Sequence, residues 1–127
     1  MKTKLLFALA LILMWAVSFL AQTQTGPRDG RNVVASGYAA LGTAQIASGQ
    51  CAAPVVVPAT GVRTTDTVSA GFNSDVTGVA GFGVSGSGAV LSIYPYPGTG
   101  TVNFAVCNST GGPITPGSIT LNWRVLR

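Results

Sequence analysis

The sequence predicts an all-β protein, a single antiparallel β-sandwich of Ig-like or jelly-roll-like type with about seven or eight strands after an N-terminal signal helix. Apolar residues occupy every second position in two C-terminal segments, 102–106 and 119–125. A period of two is typical of a strand with one buried face. Turn residues interrupt the chain at short intervals, and no segment has the apolar spacing of an amphipathic helix. These three observations indicate short strands packed in two layers.

The first 21 residues have the organisation of an export signal. Lys2 and Lys4 form a positive n-region, and an apolar run over residues 5–20 is interrupted only by Ser18. Small residues up to Ala21 offer cleavage points. The run is short for a membrane span of about 20 residues. We therefore predict cleavage and a secreted, periplasmic or cell-surface protein, with retention of the segment as a membrane anchor as the alternative.

The remainder divides into a polar, flexible N-terminal tail over residues 22–32 and a sandwich domain over residues 33–127. Beyond residue 21 the chain carries five arginines and three aspartates, which gives a net charge of +2 where the whole sequence has +4. These charges are scattered, whereas nucleic-acid binding needs a clustered basic face. We predict no nucleic-acid partner, and membrane contact only through an uncleaved signal segment.

The other strands follow from local composition. Residues 55–57 are consecutive valines between two prolines, so an extended but short or edge strand is favoured. Pro95 and Pro97 are expected to end a strand that begins at residue 89. The glycine-rich segment 73–88 is expected to hold one strand flanked by turns or bulges. The predicted strands are 33–36, 38–50, 55–57, 67–72, one within 73–88, 89–94, 101–107 and 119–126.

The chain has two cysteines, Cys51 and Cys107. An even count in an exported protein favours a disulfide, because disulfides form and persist in oxidising compartments. A bridge that closes a loop of ~57 residues restricts the unfolded chain by roughly 4 kcal/mol in the chain-entropy model. Two separately buried thiols are the alternative.

Several kinds of chemistry are excluded by residues that the sequence lacks. It contains no His and no Glu, and no Lys beyond the signal segment. Nucleophile systems of the Ser–His–Asp or Cys–His type therefore cannot be assembled, and two cysteines with three aspartates do not supply a usual zinc site. We predict that the protein is not an enzyme and has no cofactor or metal.

Few polar residues remain as candidates for a site. Asp66, Asp75 and Asn73 lie in predicted turns, where short acceptor side chains bond to nearby backbone N–H groups. A weak calcium site at these residues is a lesser alternative, as is a hydrolase that pairs Asp66 with Asp75. Asn108–Thr110 matches an N-glycosylation sequon, which matters only in a eukaryotic secretory host.

Aromatic residues supply the candidate ligand-binding positions. Tyr94 and Tyr96 are two residues apart, so an extended chain places them on one face, and Tyr38 is a candidate third member. Exposed aromatic rings can stack on sugar rings, whereas packing in the core or over a sheet edge is the alternative. Trp123 is in phase with the apolar positions of its strand and is predicted to be core.

The sequence resembles a small β-sandwich module found in phage tail-fibre and related bacterial surface or secreted proteins, over residues 43–127. The segments that carry the resemblance are Val55–Pro58 with Gly61, Thr65–Val68, Gly100–Phe104, Asn108–Thr110, Ile114–Pro116 and Ile119–Val125. The resemblance implies a non-catalytic, often repetitive or appendage-forming role. The chain departs from it in having its own signal segment and a cysteine pair, which fit a free-standing exported protein.

The sequence therefore predicts a non-catalytic, exported structural or adhesive protein of the cell envelope or the extracellular space. A secreted carbohydrate-binding module that uses the exposed tyrosines is the alternative. Its predicted partners are other copies of itself, through strand-edge pairing, or surface glycans. The tail over residues 22–32 is a candidate strand donor.

Overall fold

The computed structural model describes residues 32–83 and 90–127. The predicted signal segment, nearly all of the predicted tail and residues 84–89 lie outside the described residues. Over the described ranges, no helix is long and apolar enough to cross a membrane.

Six strands form two antiparallel sheets of three strands each, so the all-β prediction is confirmed. The first sheet has the order β1-β6-β3 and the second has the order β2-β5-β4. The described residues thus hold fewer strands than the seven or eight expected. The strands are β1 (Val33–Ala40), β2 (Val55–Pro58), β3 (Thr67–Phe72), β4 (Ser92–Gly98), β5 (Thr101–Cys107) and β6 (Thr120–Leu126).

Two predicted strands differ from the described structure: of the strand expected over 38–50 only residues 38–40 are strand, as the end of β1, and the described part of the segment 73–88 holds none. Residues 41–50 do not continue a strand; Ile46 pairs singly with Ile114, and the chain turns at Gly49 with φ of 72°. The described part of the glycine-rich segment, residues 73–83, consists of bends and turns. Gly83 allows a tight turn here because it has no side chain: a Cβ at this position would overlap the carbonyl oxygens of the preceding turn. Both described segments contribute a few buried residues to the core, Leu41 and Ile46 in one and Phe82 in the other, without forming a strand ladder.

The central strand of each sheet carries the alternation that the sequence showed. Val102 and Phe104 of β5 are 0% exposed, and Leu121 and Val125 of β6 are 2% and 0% exposed. The inward residues of both sheets belong to one hydrophobic cluster. Trp123 is buried within this cluster, as predicted. Its indole lies against its partner on β1, Gly37, where an added Cβ would approach Cζ2 to 2.9 Å.

The predicted disulfide between Cys51 and Cys107 is confirmed, with an S–S distance of 2.02 Å. It joins the segment before β2 to the last residue of β5, and the two cysteines also form a backbone bridge. The cross-link therefore ties the first half of the described chain to the central strand of the second sheet.

Candidate binding surfaces

Asp66 is committed to a structural contact at the start of β3. Its carboxylate accepts hydrogen bonds from Nε and Nη2 of Arg127, both at 2.9 Å, and from the backbone N–H of Arg63 at 2.9 Å. Arg127 Nη2 also donates to the carbonyl of Gly61. The two-pronged pair joins the C-terminus to the turn before β3, and the Asp66 side chain is 1% exposed. Asp66 is therefore shielded from any substrate.

The same contact makes folding sensitive to acid. The hydrogen bond from Arg127, followed by that from the Arg63 backbone, lowers the pKa of Asp66 from 3.8 to about 2. Because the unfolded carboxyl takes up its proton at a higher pH, the stability from this pair is present above pH 3.8 and is lost as the pH falls toward 2.

We expect the free energy of unfolding of the wild type to exceed that of Asp66→Asn at neutral pH, because the uncharged amide weakens the pairing with Arg127. The difference should shrink as the pH is lowered from neutrality to about 2. Urea unfolding followed by circular dichroism at a series of pH values measures it. A difference that stays constant over this range contradicts the assignment.

Asp75 serves a different turn. Its Oδ1 accepts hydrogen bonds from the hydroxyl and the backbone N–H of Thr77. Both bonds lower the pKa of Asp75, and the bond from the hydroxyl has the larger effect. Asp66 and Asp75 flank opposite ends of β3, which spans about 20 Å at the usual strand rise. The structure thus does not bring the carboxylates of Asp66 and Asp75 together in one site. Within residues 32–83 and 90–127 there is also no group of three acidic, Cys or His residues that can hold a metal.

The three candidate tyrosines divide between the two sheets. Tyr94 and Tyr96 lie on the outer face of β4, with 54% and 42% of their surface exposed. Tyr96 pairs with Asn103 of β5, which pairs on its other side with Val56 of β2, and Val56 is 57% exposed. Tyr38 is 73% exposed but lies on β1 of the first sheet. The structure therefore brings two of the tyrosines together and separates the third.

The outer face of the first sheet carries two neighbouring rows of residues across its three strands. One row consists of Tyr38, Asn122 and Gly71, and the next consists of Ser36, Arg124 and Ser69. The small members of these rows border two open grooves. One groove, of about 420 Å³, is lined by Ser36, Ser69, Ala70, Gly71, Asn122, Trp123 and Arg124. The other, of about 310 Å³, is lined by Ser36, Gly37, Tyr38, Asn122 and Trp123.

A smaller apolar opening of about 190 Å³ lies where β3 faces β4. Phe72, at the end of β3, is 43% exposed there, and its ring contacts Phe82 edge-on with ring centres 6.1 Å apart. The rest of the lining consists of Ala70, Gly71, Ile93, Pro95 and Leu121. The free side of β3 is thus bordered by apolar surface.

Asn108 has a structural role that the sequence alone did not indicate. It is 1% exposed, and its Nδ2 donates to the carbonyls of Ile46 at 2.9 Å and Gly112 at 2.8 Å. Its Oδ1 accepts from the backbone N–H and the hydroxyl of Thr110. The nitrogen to which a glycan would attach is therefore used inside the folded protein. The threonine two residues after Asn108 was the sequence signal for this structural role, because its hydroxyl completes the hydrogen-bond network.

These features define an all-β protein with a disulfide between the segment before β2 and the central strand of the second sheet, and with two outer faces that carry exposed side chains. The disulfide is compatible with an oxidising, extracellular or periplasmic location. No family model, curated protein or solved structure matches the chain.

Proposed function

We propose that this chain is an exported β-sandwich protein with a structural or adhesive role at the cell envelope or beyond it, acting through its surfaces without catalysis. Support for export comes from the signal-like N-terminus and the disulfide. The resemblance to tail-fibre and bacterial surface modules agrees with an appendage-forming role. Recovery of the intact protein from the cytoplasm alone would contradict export.

The observation that carries the structural role is a difference between the edges of the two sheets. In the second sheet, β2 ends at Pro58 and is preceded by Pro54, and β4 contains Pro95 and Pro97. Alternate residues of an antiparallel strand direct their N–H groups to the same neighbour. β4 pairs with β5 along its whole length, and a proline has no N–H group to donate to that ladder. Positions 95 and 97 therefore face the free edge of β4, which lacks two N–H donors. Prolines of this kind block the addition of a further strand.

The first sheet has no such protection at β3. This strand, Thr67–Phe72, contains no proline and no charged residue, and all of its residues except Val68 are exposed. An edge of this kind can pair with another strand. The occupant that we propose is β3 of a second copy, since a strand without charges meets no like charge in its own copy. Exposed Phe72 then adds apolar area to the contact.

Sedimentation of the purified mature protein over a range of concentrations tests this self-association. The wild type should form dimers or larger assemblies as its concentration rises, whereas Ala70→Lys on β3 should remain monomeric because a lysine disfavours edge pairing. The matched control is Val56→Lys, which places the same charge on an edge strand of the second sheet and should behave as the wild type. A wild type that remains monomeric at its highest soluble concentration contradicts the proposal.

The second candidate function is carbohydrate binding by the outer face of the second sheet. It is favoured by the exposure of both Tyr94 and Tyr96 on adjacent same-face positions of β4, with exposed Val56 in the same row on the far side of β5. Flat aromatic surface of this kind can stack on sugar rings. A glycan array should give hits that Tyr96→Ala abolishes. An array without hits, or hits that survive this substitution, removes the candidate.

A further inference from the structure

The outer face of the first sheet combines cationic, polar and aromatic side chains around open grooves. In an antiparallel pair, residues directly opposite each other project to the same side of the sheet. The register sets Tyr38 beside Asn122 and Ser36 beside Arg124, so these four side chains share the outer face. The two rows are about 7 Å apart, which is two residues of strand rise.

The charge in this surface favours an anionic ligand. Arg124 is exposed and, among the described residues, is the only charged one that lines the larger groove; the described lining of the smaller groove is uncharged. In the described ranges, Arg127 and Asp66 form an ion pair, and Arg124 is not part of it. A guanidinium group matches a carboxylate through two parallel hydrogen bonds. A carboxylate on the ligand therefore fits the end of the surface at Arg124.

The remaining side chains favour a sugar as the carrier of that carboxylate. Tyr38, at 73% exposure, offers a ring face for stacking. The amide of Asn122 and the hydroxyls of Ser36 and Ser69 supply donors and acceptors for ring hydroxyls. Gly71 leaves space beside Asn122, and the larger groove of about 420 Å³ lies within the usual range for small ligands.

We propose that this surface, formed by Tyr38, Asn122, Arg124, Ser36 and Ser69, binds saccharides that carry a carboxylate. Arg124 holds the carboxylate and Tyr38 stacks on the sugar ring. Asn122 adjoins both, because it lies opposite Tyr38 and two residues from Arg124 on β6. The surface is distinct from the Tyr94 and Tyr96 face, because it belongs to the other sheet. It also leaves the backbone edge of β3 free, so it does not depend on self-association.

Matched ligand pairs test the role of the carboxylate. Binding of trigalacturonate and of sialyllactose is measured by titration calorimetry and by amide chemical shifts, against trigalacturonate methyl ester and lactose as the uncharged partners. At least one acidic member should bind, shift amides of β1 and β6, and bind more weakly as salt is added. Its uncharged partner should bind at least about tenfold more weakly, since a charge-assisted contact is lost.

Variants locate the site. Arg124→Gln should raise the Kd at least about tenfold, and Tyr38→Ala should raise it about threefold to tenfold. Arg63→Gln, which removes an exposed arginine in the turn before β3 that lines neither groove, should leave the Kd unchanged. All three positions are exposed, and circular dichroism verifies that each variant is folded.

Three results overturn the proposal. They are no binding of either acidic saccharide at millimolar concentration, equal binding of the charged and uncharged partners, and a Kd that Arg124→Gln changes no more than Arg63→Gln does. Equal affinity for inorganic sulfate also contradicts it, because the sugar would then contribute nothing. None of these results bears on the sedimentation of Ala70→Lys, so failure here is distinguishable from failure of the self-association proposal.

Discussion

Loss of the Cys51–Cys107 disulfide should lower the free energy of unfolding by roughly 4 kcal/mol, because the bridge closes a long loop in the unfolded chain. The cysteines are 56 residues apart in sequence. A small domain has a total stability of about 5–15 kcal/mol, so this loss removes a large share of it. Urea unfolding of the oxidised wild type and of the double variant Cys51→Ala, Cys107→Ala measures the change.

Reduced wild type is the control for this prediction. It retains both cysteine side chains and lacks only the covalent link, so its unfolding should coincide with that of the double variant. A loss below about 1 kcal/mol in either sample contradicts the entropic account of the bridge.

Replacement of Asn108 should be the most damaging polar substitution in the described chain. Asn108→Asp preserves the shape of the side chain but replaces the Nδ2 donor, which bonds the Ile46 and Gly112 carbonyls, with an acceptor. A buried carboxylate then faces carbonyl oxygens, and we expect a loss of about 3 kcal/mol or more. Thermal and urea unfolding measure the loss.

Asn108→Ala removes the whole side-chain network without adding a charge. Both the Nδ2 donations and the contacts of Oδ1 with Thr110 are lost. We expect it to be destabilising, but less so than Asn108→Asp near neutral pH. Ser109→Ala, at the exposed neighbouring position, is the matched control and should change stability by less than about 0.5 kcal/mol. Equal stability of Asn108→Asp and the wild type would refute the buried-network assignment.

The parts of the fold that sequence patterns predicted well are those with strong alternation or β-branched runs. The bounds of β3 and β5 agree with the prediction, and those of β2 and β6 agree within one residue. In each case one face of the strand packs on the core, so apolar and polar residues alternate in the sequence as the side chains alternate between the two faces.

The errors have local physical causes. β4 was expected to end at Pro95, but it continues to Gly98, because its prolines face the free edge and their missing donors break no ladder bond. β1 was expected to stop at residue 36, yet it runs to Ala40, because Gly37 leaves room for the Trp123 indole within the sheet. Both effects depend on which strand lies alongside, and the composition of one strand does not predict its neighbour.

The candidate surfaces follow the same pattern. The exposure of Tyr94 and Tyr96 on one face follows from their spacing of two residues in a strand. The approach of Tyr38 to Arg124 depends on the register between β1 and β6, which joins residues more than 80 positions apart in sequence. The sequence identified the three tyrosines as candidates, but only strand pairing shows which side chains lie beside each of them.

Amide hydrogen exchange of the mature protein at low and high concentration tests the central claim, that the unprotected edge of β3 mediates a structural role. The account predicts that amides of Thr67–Phe72 gain protection as concentration rises in the wild type and in Val56→Lys, and gain none in Ala70→Lys. Unchanged exchange of β3 in a protein that nevertheless assembles, or new protection confined to the edge of β4, would contradict it.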